Sequence, residues 1–259
     1  MQVRAIPVFE HIHILRKSML ESLADYAFLG NQFLYKGYGD GILSGCELTT
    51  TGDTIQLNEG LILYEGQLFL IKEPMQINYY PTNTTRVLKA HFSEQMQDGS
   101  FIYREMDLIL TEYTEGKKGE LELCRFKLQE GARLRYTYQD FEDRDTEFDT
   151  LNTIYAPYSA YGGTTLSPDI LRDFAKELLR QGGLTETDRC VGLQLLSQDR
   201  AAGREMLSAY IQGRNGRDMS DSSNHAIYRE LVKILKEVRE GKQNKPQESG
   251  RKKWKMTVE

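Results

Sequence analysis

Six acidic residues within ten positions (Asp140, Glu142, Asp143, Asp145, Glu147 and Asp149) are the densest set of chemically capable side chains in this sequence. Carboxylates so spaced can hold a divalent cation or supply an acid/base pair. A calcium loop also needs a fixed glycine at its sharp turn and a bidentate glutamate at its end. Neither is present, and Arg144 interrupts the run. An electrostatic contact with a partner suits these residues better than a metal site.

The other candidates carry less chemistry. His11 and His13 lie two apart at the start of an expected helix, where that spacing points to different faces, and a zinc pair on a helix sits four apart. His91 and His225 are isolated. Gly37-Tyr38-Gly39-Asp40-Gly41 is rich in glycine but lacks the Gly-Lys-Ser/Thr ending and leads into a strand, whereas a phosphate cradle opens a helix. No serine sits in Gly-x-Ser-x-Gly. Cys46, Cys124 and Cys190 are far apart and form no Cys-x-x-Cys pair, so they read as free thiols. No catalytic residue, metal ligand or cofactor-binding residue is assigned, and no cofactor is expected.

The chain that must position these groups has 259 residues, a net charge of -5, ten Phe and fifteen Tyr. An acidic balance argues against a general nucleic-acid binder. Residues 241–259 hold six cations against two anions, so this basic tail is +4 and the remaining 240 residues carry -9. The tail reads as disordered from its Lys, Gln, Pro, Ser and Gly content. No apolar stretch approaches the roughly 20 residues of a membrane helix. The interrupted N-terminal segment does not read as a signal peptide, so a cytoplasmic or particle-associated location is expected.

Periodicity divides the chain. An N-terminal arm and helix occupy 1–35, with Ile12, Leu15, Met19, Leu23, Tyr26 and Ala27 on one face and Gly30-Asn31 as the stop. A β-rich domain is expected over 36–140, with strands at 42–49, 54–57, 61–64, 67–72, 86–94, 101–112 and 120–128, and another near 133–138. The glycines between them supply the positive φ of tight reversals. Pro74 and Pro81 bracket a connection, and 97–100 is a turn. Residues 141–166 have no clear period and are read as a linker. Helices are expected over 167–179, 186–197, 200–212 and 225–240, the first opened by Ser167-Pro168-Asp169 and the second by a Thr185-x-x-Asp188 box. The fold class is therefore α+β: an N-terminal helix and an antiparallel β-sandwich or barrel-like region, followed by a small helical bundle over 167–240.

One rhythm in the β region is more specific. Gly41-Ile42-Leu43-Ser44-Gly45-Cys46-Glu47-Leu48, then Ile55–Leu57, Gly60-Leu61-Ile62-Leu63-Tyr64 and Glu65-Gly66-Gln67-Leu68, resembles the N-terminal pattern of phage tail-fibre and baseplate proteins. Glu120–Leu128 followed by Gly131 resembles a strand that recurs in them. The β-then-helical layout is similar to the type VI secretion baseplate adaptor, with its shoulder related to phage receptor-binding proteins. The resemblance implies a trimeric scaffold without catalytic residues, self-associating and bound to other tail or baseplate proteins. Tyr155, Tyr158 and Tyr161 are candidate interface residues, with packing inside the chain as the equal alternative. A carbohydrate- or peptide-binding β module and a hydrolase with an unrecognised site are the competing functions.

Overall fold

The computed structural model describes residues 7–9, 11, 14–220 and 222–241. Its secondary structure is α+β, with helices first, strands next and helices again. The strands are β1 (Gly41–Gly45), β2 (Leu48–Thr51), β3 (Thr54–Leu57), β4 (Gly60–Tyr64), β5 (Gln67–Ile71), β6 (Met75–Asn78), β7 (Thr85–Phe92), β8 (Met96–Asp98), β9 (Phe101–Tyr103), β10 (Met106–Thr111), β11 (Glu120–Lys127), β12 (Tyr158–Ala160) and β13 (Gly163–Thr165). They form a five-stranded sheet β13-β12-β1-β4-β5, two three-stranded sheets β10-β7-β11 and β2-β3-β6, and a hairpin β8-β9. Pairing is antiparallel except between β1 and β12.

Several local departures have physical causes. The strand expected over 42–49 is two, because Gly45 and Cys46 both take positive φ (65° and 62°) and turn the chain from one sheet into another. β6 forms between the two prolines, where Met75 and Ile77 alternate with exposed Gln76 and Asn78. Arg133–Tyr138 makes only an isolated bridge between Arg135 and Thr150, so no strand forms there. In β11 a register shift between Glu122 and Cys124 changes which parity faces inward. Leu121 and Leu123 are buried before it, and Cys124 and Phe126 after it. A bulge thus buries two consecutive residues that strict alternation would separate.

The C-terminal helices are α3 (Pro168–Leu179), α4 (Glu186–Ser197), α5 (Arg204–Asn215) and α6 (Asn224–Arg239). Ser167 accepts from the Asp169 amide, and Thr185 and Asp188 complete a reciprocal box at 3.1 and 3.0 Å. Their inward faces close one apolar core around Phe174, Leu207, Tyr228 and Leu231. A second core lies among the strands around Ile55, Ile62, Leu88 and Leu123.

Residues 141–166, expected as a linker, are built into both. Phe141, Ile154 and Leu166 enter the helical core, while Leu151 and Ala156 enter the β core. The same segment supplies β12 and β13. It lacks a period because its apolar residues serve two cores in turn. The parallel seam is tight: a β-carbon at Gly41 would lie 2.5 Å from the Pro157 carbonyl oxygen and 2.8 Å from the Ser159 nitrogen. Gly41→Ala should therefore cost about 2–3 kcal/mol of stability in a urea titration, because backbone cannot yield as a side chain can. Wild-type stability in that variant would mean that the seam is looser than described.

Candidate functional site

The acidic run folds inward on itself and across the seam between the two cores. Its 3₁₀ turn (Glu142–Asp145) sits where strands and helices meet. Asp143 takes a two-pronged contact from Arg135 at 2.5 and 2.6 Å and also accepts the Gln139 amide. Asp140 accepts the Asp143 amide, and Asp149 accepts that of Gln129. Glu147 pairs with Lys127 of β11. Glu142 reaches α6 through Lys236 and Arg239 at 2.7 and 2.8 Å, and Asp145 reaches it through His225 at 2.9 Å. Arg144, between them, is buried and pairs with Asp173 of α3. Every carboxylate of the run has a structural partner. Among the described residues no group of three His, Cys, Asp or Glu side chains could hold a metal ion.

Two clefts open along this seam. The larger, about 390 Å³, is bordered by Tyr136, Tyr138, Tyr158, Arg144 and Arg172. Its cations are already engaged, Arg172 with Asp169 and Lys176 with Asp173. The second, about 350 Å³, holds the His225–Asp145 pair beside Tyr155 and Arg125. As a base, such a pair would need a hydroxyl, water or substrate proton within reach. The ring stacked on His225 is that of Tyr155, at 5.0 Å, and the nearby Thr146 and Thr150 hydroxyls bond Asp143 and the Phe148 carbonyl instead.

Other groups with chemical potential are sealed. Burial pushes the Cys46 thiol up to about 12 and raises Cys124 as well, so neither is a ready nucleophile. Cys190 is exposed. Lys89 is buried in the β core, bonded to Glu120 and the Glu115 carbonyl at 2.9 Å each, and Tyr113 bonds the same carboxylate at 2.6 Å. That network has no signature in residue order, because only the sheet register brings Lys89 and Glu120 together. His11 is exposed, and His13 lies outside the described residues.

The three tyrosines part company. Tyr155 is half-buried, stacked on His225, with the Arg125 guanidinium 3.3 Å from its ring centre. Tyr158 pairs with Ile42 and packs on the β core, and burial raises its hydroxyl pKa. Tyr161 alone stands in solvent at 74% exposure, edge-on to Tyr38. The structure does not gather them into one patch.

A different surface is gathered. The N-terminal helix runs as α1 (Lys17–Ala24), a π-helical turn (Asp25–Leu29) and α2 (Gly30–Leu34). Gly30-Asn31 does not stop it: Gly30 is helical at φ −56°, and the Asn31 side chain donates back to the Ala27 carbonyl. No residue of this run is buried. Phe28, Phe33 and Leu34 are 71, 73 and 66% exposed. Between the run, the edge strand β5 and the hairpin β8-β9 lies an apolar groove of about 800 Å³, bordered by Ala27, Phe28, Tyr35, Leu68, Leu70 and Ile102. Sequence spacing found the helix and its apolar face but ended it at Gly30-Asn31, where the helix in fact continues.

No family model matches the chain, and no curated protein matches it. Among solved structures it is similar to a crystal structure of TssK, at 13% identity over 92% of this chain and 69% of that one, with a TM-score of 0.37. It is also similar to a chain of the type VI secretion TssK-TssF-TssG baseplate subcomplex (7% identity, 91% and 99% covered, TM-score 0.38). A chain of the type VI secretion baseplate complex follows (11%, 90% and 87%, TM-score 0.26). No helix among the described residues is long and apolar enough to cross a membrane.

The Arg135 guanidinium holds the Asp143 carboxyl well below the usual carboxylate range. A depressed folded-state pKa contributes stability that is complete above the unfolded value, about 3.9, and is lost as pH falls towards the folded one. Asp143→Asn should therefore be less stable than wild type at neutral pH and should lose less on acidification from about pH 4 to pH 2. Urea midpoints across that range check it. Parallel acid limbs in the two proteins would mean that the pair contributes nothing there.

Proposed function

We propose that this protein is a structural adaptor of a phage-tail-like or contractile injection baseplate, acting through protein-protein contacts. The carrying observation is the N-terminal helical run, which is apolar yet has no buried residue. An apolar helix face belongs against another surface, and among the described residues none buries this one. The hairpin β8-β9 adds Phe101, Ile102 and Tyr103, all exposed, beside the groove. Patches of this extent mark contacts with other macromolecules. The strand-and-glycine rhythm from Gly41 to Leu68 supports the same reading by its resemblance to baseplate and tail-fibre sequences, which also implies self-association, as a trimer.

The interior agrees with a load-transmitting part. Charges that would otherwise serve a substrate are spent fixing the β half to the helices. Tyr161, beside Tyr38 on the rim of the five-stranded sheet, is a further contact residue under this reading.

Co-expression with the proteins encoded beside it should yield a stoichiometric complex that survives gel filtration at high salt, because apolar contacts are not screened. A chain that ignores those neighbours and instead binds a glycan array or hydrolyses a substrate panel would replace the adaptor with one of the competing functions.

A further inference from the structure

The two edges of the five-stranded sheet differ. At one, the β13 carbonyls are taken up by side chains: Thr164 accepts from Arg204 and Thr165 from Asn224, at 2.9 Å each. At the other, β5 pairs only with β4. The register identifies the polar groups left over. Glu65 and Gly66 (φ 47° and 71°) make a two-residue reversal, so the flanking Tyr64 and Gln67 exchange both backbone bonds. Ile62–Phe69 and Gly60–Ile71 repeat that pattern, and the amides and carbonyls of Leu68 and Leu70 therefore point away from the sheet. Among the described residues no hydrogen bond takes up these four groups. Exposed edges are normally blunted by charge, proline or a bulge. Gln67–Ile71 holds no charge and no proline, and its register with β4 is unbroken.

The apolar groove runs along this open edge. Leu61 of β4 and Leu70 stand opposite each other and border it together with Leu68, and Ile102 of the hairpin borders it too. Outward backbone groups beside an apolar row fit an extended segment whose apolar side chains recur at every second position.

We propose that Trp254-Lys255-Met256-Thr257-Val258 of this same chain pairs with β5 as a sixth strand. The inference does not depend on the adaptor reading. Three observations favour this occupant. Trp254, Met256 and Val258 fall on one face at strand spacing, with Lys255 and Thr257 on the other. Reach is the second. Residues 242–253 separate Gly241 from Trp254 and span up to about 40 Å when extended. Asn224, at the start of α6, meets Thr165 of β13, and β5 lies four strand spacings further. A helix of about 24 Å and a sheet about 19 Å wide put the edge at about that distance or nearer. Charge is the third. Residues 241–259 carry +4 against -9 for the rest. The segment is attracted to its own body, and the tether holds it there at an effective concentration of about a millimolar. A foreign strand of the same pattern lacks both advantages.

Trp254 is the only tryptophan of the chain, so its fluorescence in the full-length protein reports this segment alone. Its emission should lie to the blue of that of a synthetic peptide of residues 251–259, and acrylamide should quench it several-fold less. Leu70→Lys, which sets a charge in the apolar row, should return both readings to the peptide's values. So should Leu68→Pro, which deletes an outward amide and spares the bonds to β4. If either edge variant loses cooperative unfolding, Met256→Asp, which alters none of the described residues, should give the same loss of shielding. Thr257→Asp, on the opposite face, should keep the wild-type spectrum.

Wild-type emission and quenching equal to the peptide's overturn the proposal. So does shielding that survives Leu70→Lys, Leu68→Pro and Met256→Asp, and so does equal loss from Met256→Asp and Thr257→Asp, which denies the strand alternation. Shielding that disappears on dilution from micromolar to nanomolar protein assigns the edge to another copy's segment and overturns docking within one chain. None of these outcomes touches complex formation with the encoded neighbours, on which the adaptor stands or falls.

Discussion

Phe141 sets its ring against Phe174 of α3 and Tyr228 of α6, at 5.6 and 4.7 Å between centres, while Leu151, ten residues on, is buried among the strands. The stretch joining them must satisfy two apolar interiors at once. That demand explains its lack of regular structure, since neither a helical nor a strand period would deliver side chains to both sides in the right order. It also explains its polar chemistry. Backbone without a ladder needs other partners, and side chains provide them: Asn224 bonds the Ala156 and Thr165 carbonyls, and Tyr138 bonds that of Leu151.

The charges follow from the same constraint. Individually, exposed ion pairs contribute little, about 0–1 kcal/mol. Along the seam they act in concert with direction, each fixing one side chain of the acidic run to β11, α3 or α6. An acidic run that would suggest a metal or an external partner is thus consumed internally. The unconsumed surface is the apolar one, at the other end of the chain.

Much of this was legible from residue order. The starts of α3 and α4 are legible in residue order, because Ser167, Thr185 and Asp188 act on amides only two or three positions away. Turn glycines were read well for the same reason. What failed was information carried across the chain. The shared segment was invisible since its two cores are assembled from distant residues, and the bulge in β11 depends on the partner strand β7. The apolar spacing of residues 15–27 was correctly helical, but spacing cannot say whether the covering surface belongs to the same molecule. Of the three tyrosines only Tyr161 is well exposed; Tyr155 and Tyr158 are occupied by contacts that sequence cannot pair.

The parallel contact between Ile42 and Tyr158 has a consequence for synthesis. The ribosome releases β1 long before β12, so the five-stranded sheet cannot be completed until most of the polypeptide has emerged. Meanwhile β4 and β5 can fold onto β1, leaving its other edge, with the close-fitting Gly41, open to mispairing. Nascent chains arrested before residue 158 should therefore lean on chaperones in a way that the finished molecule does not.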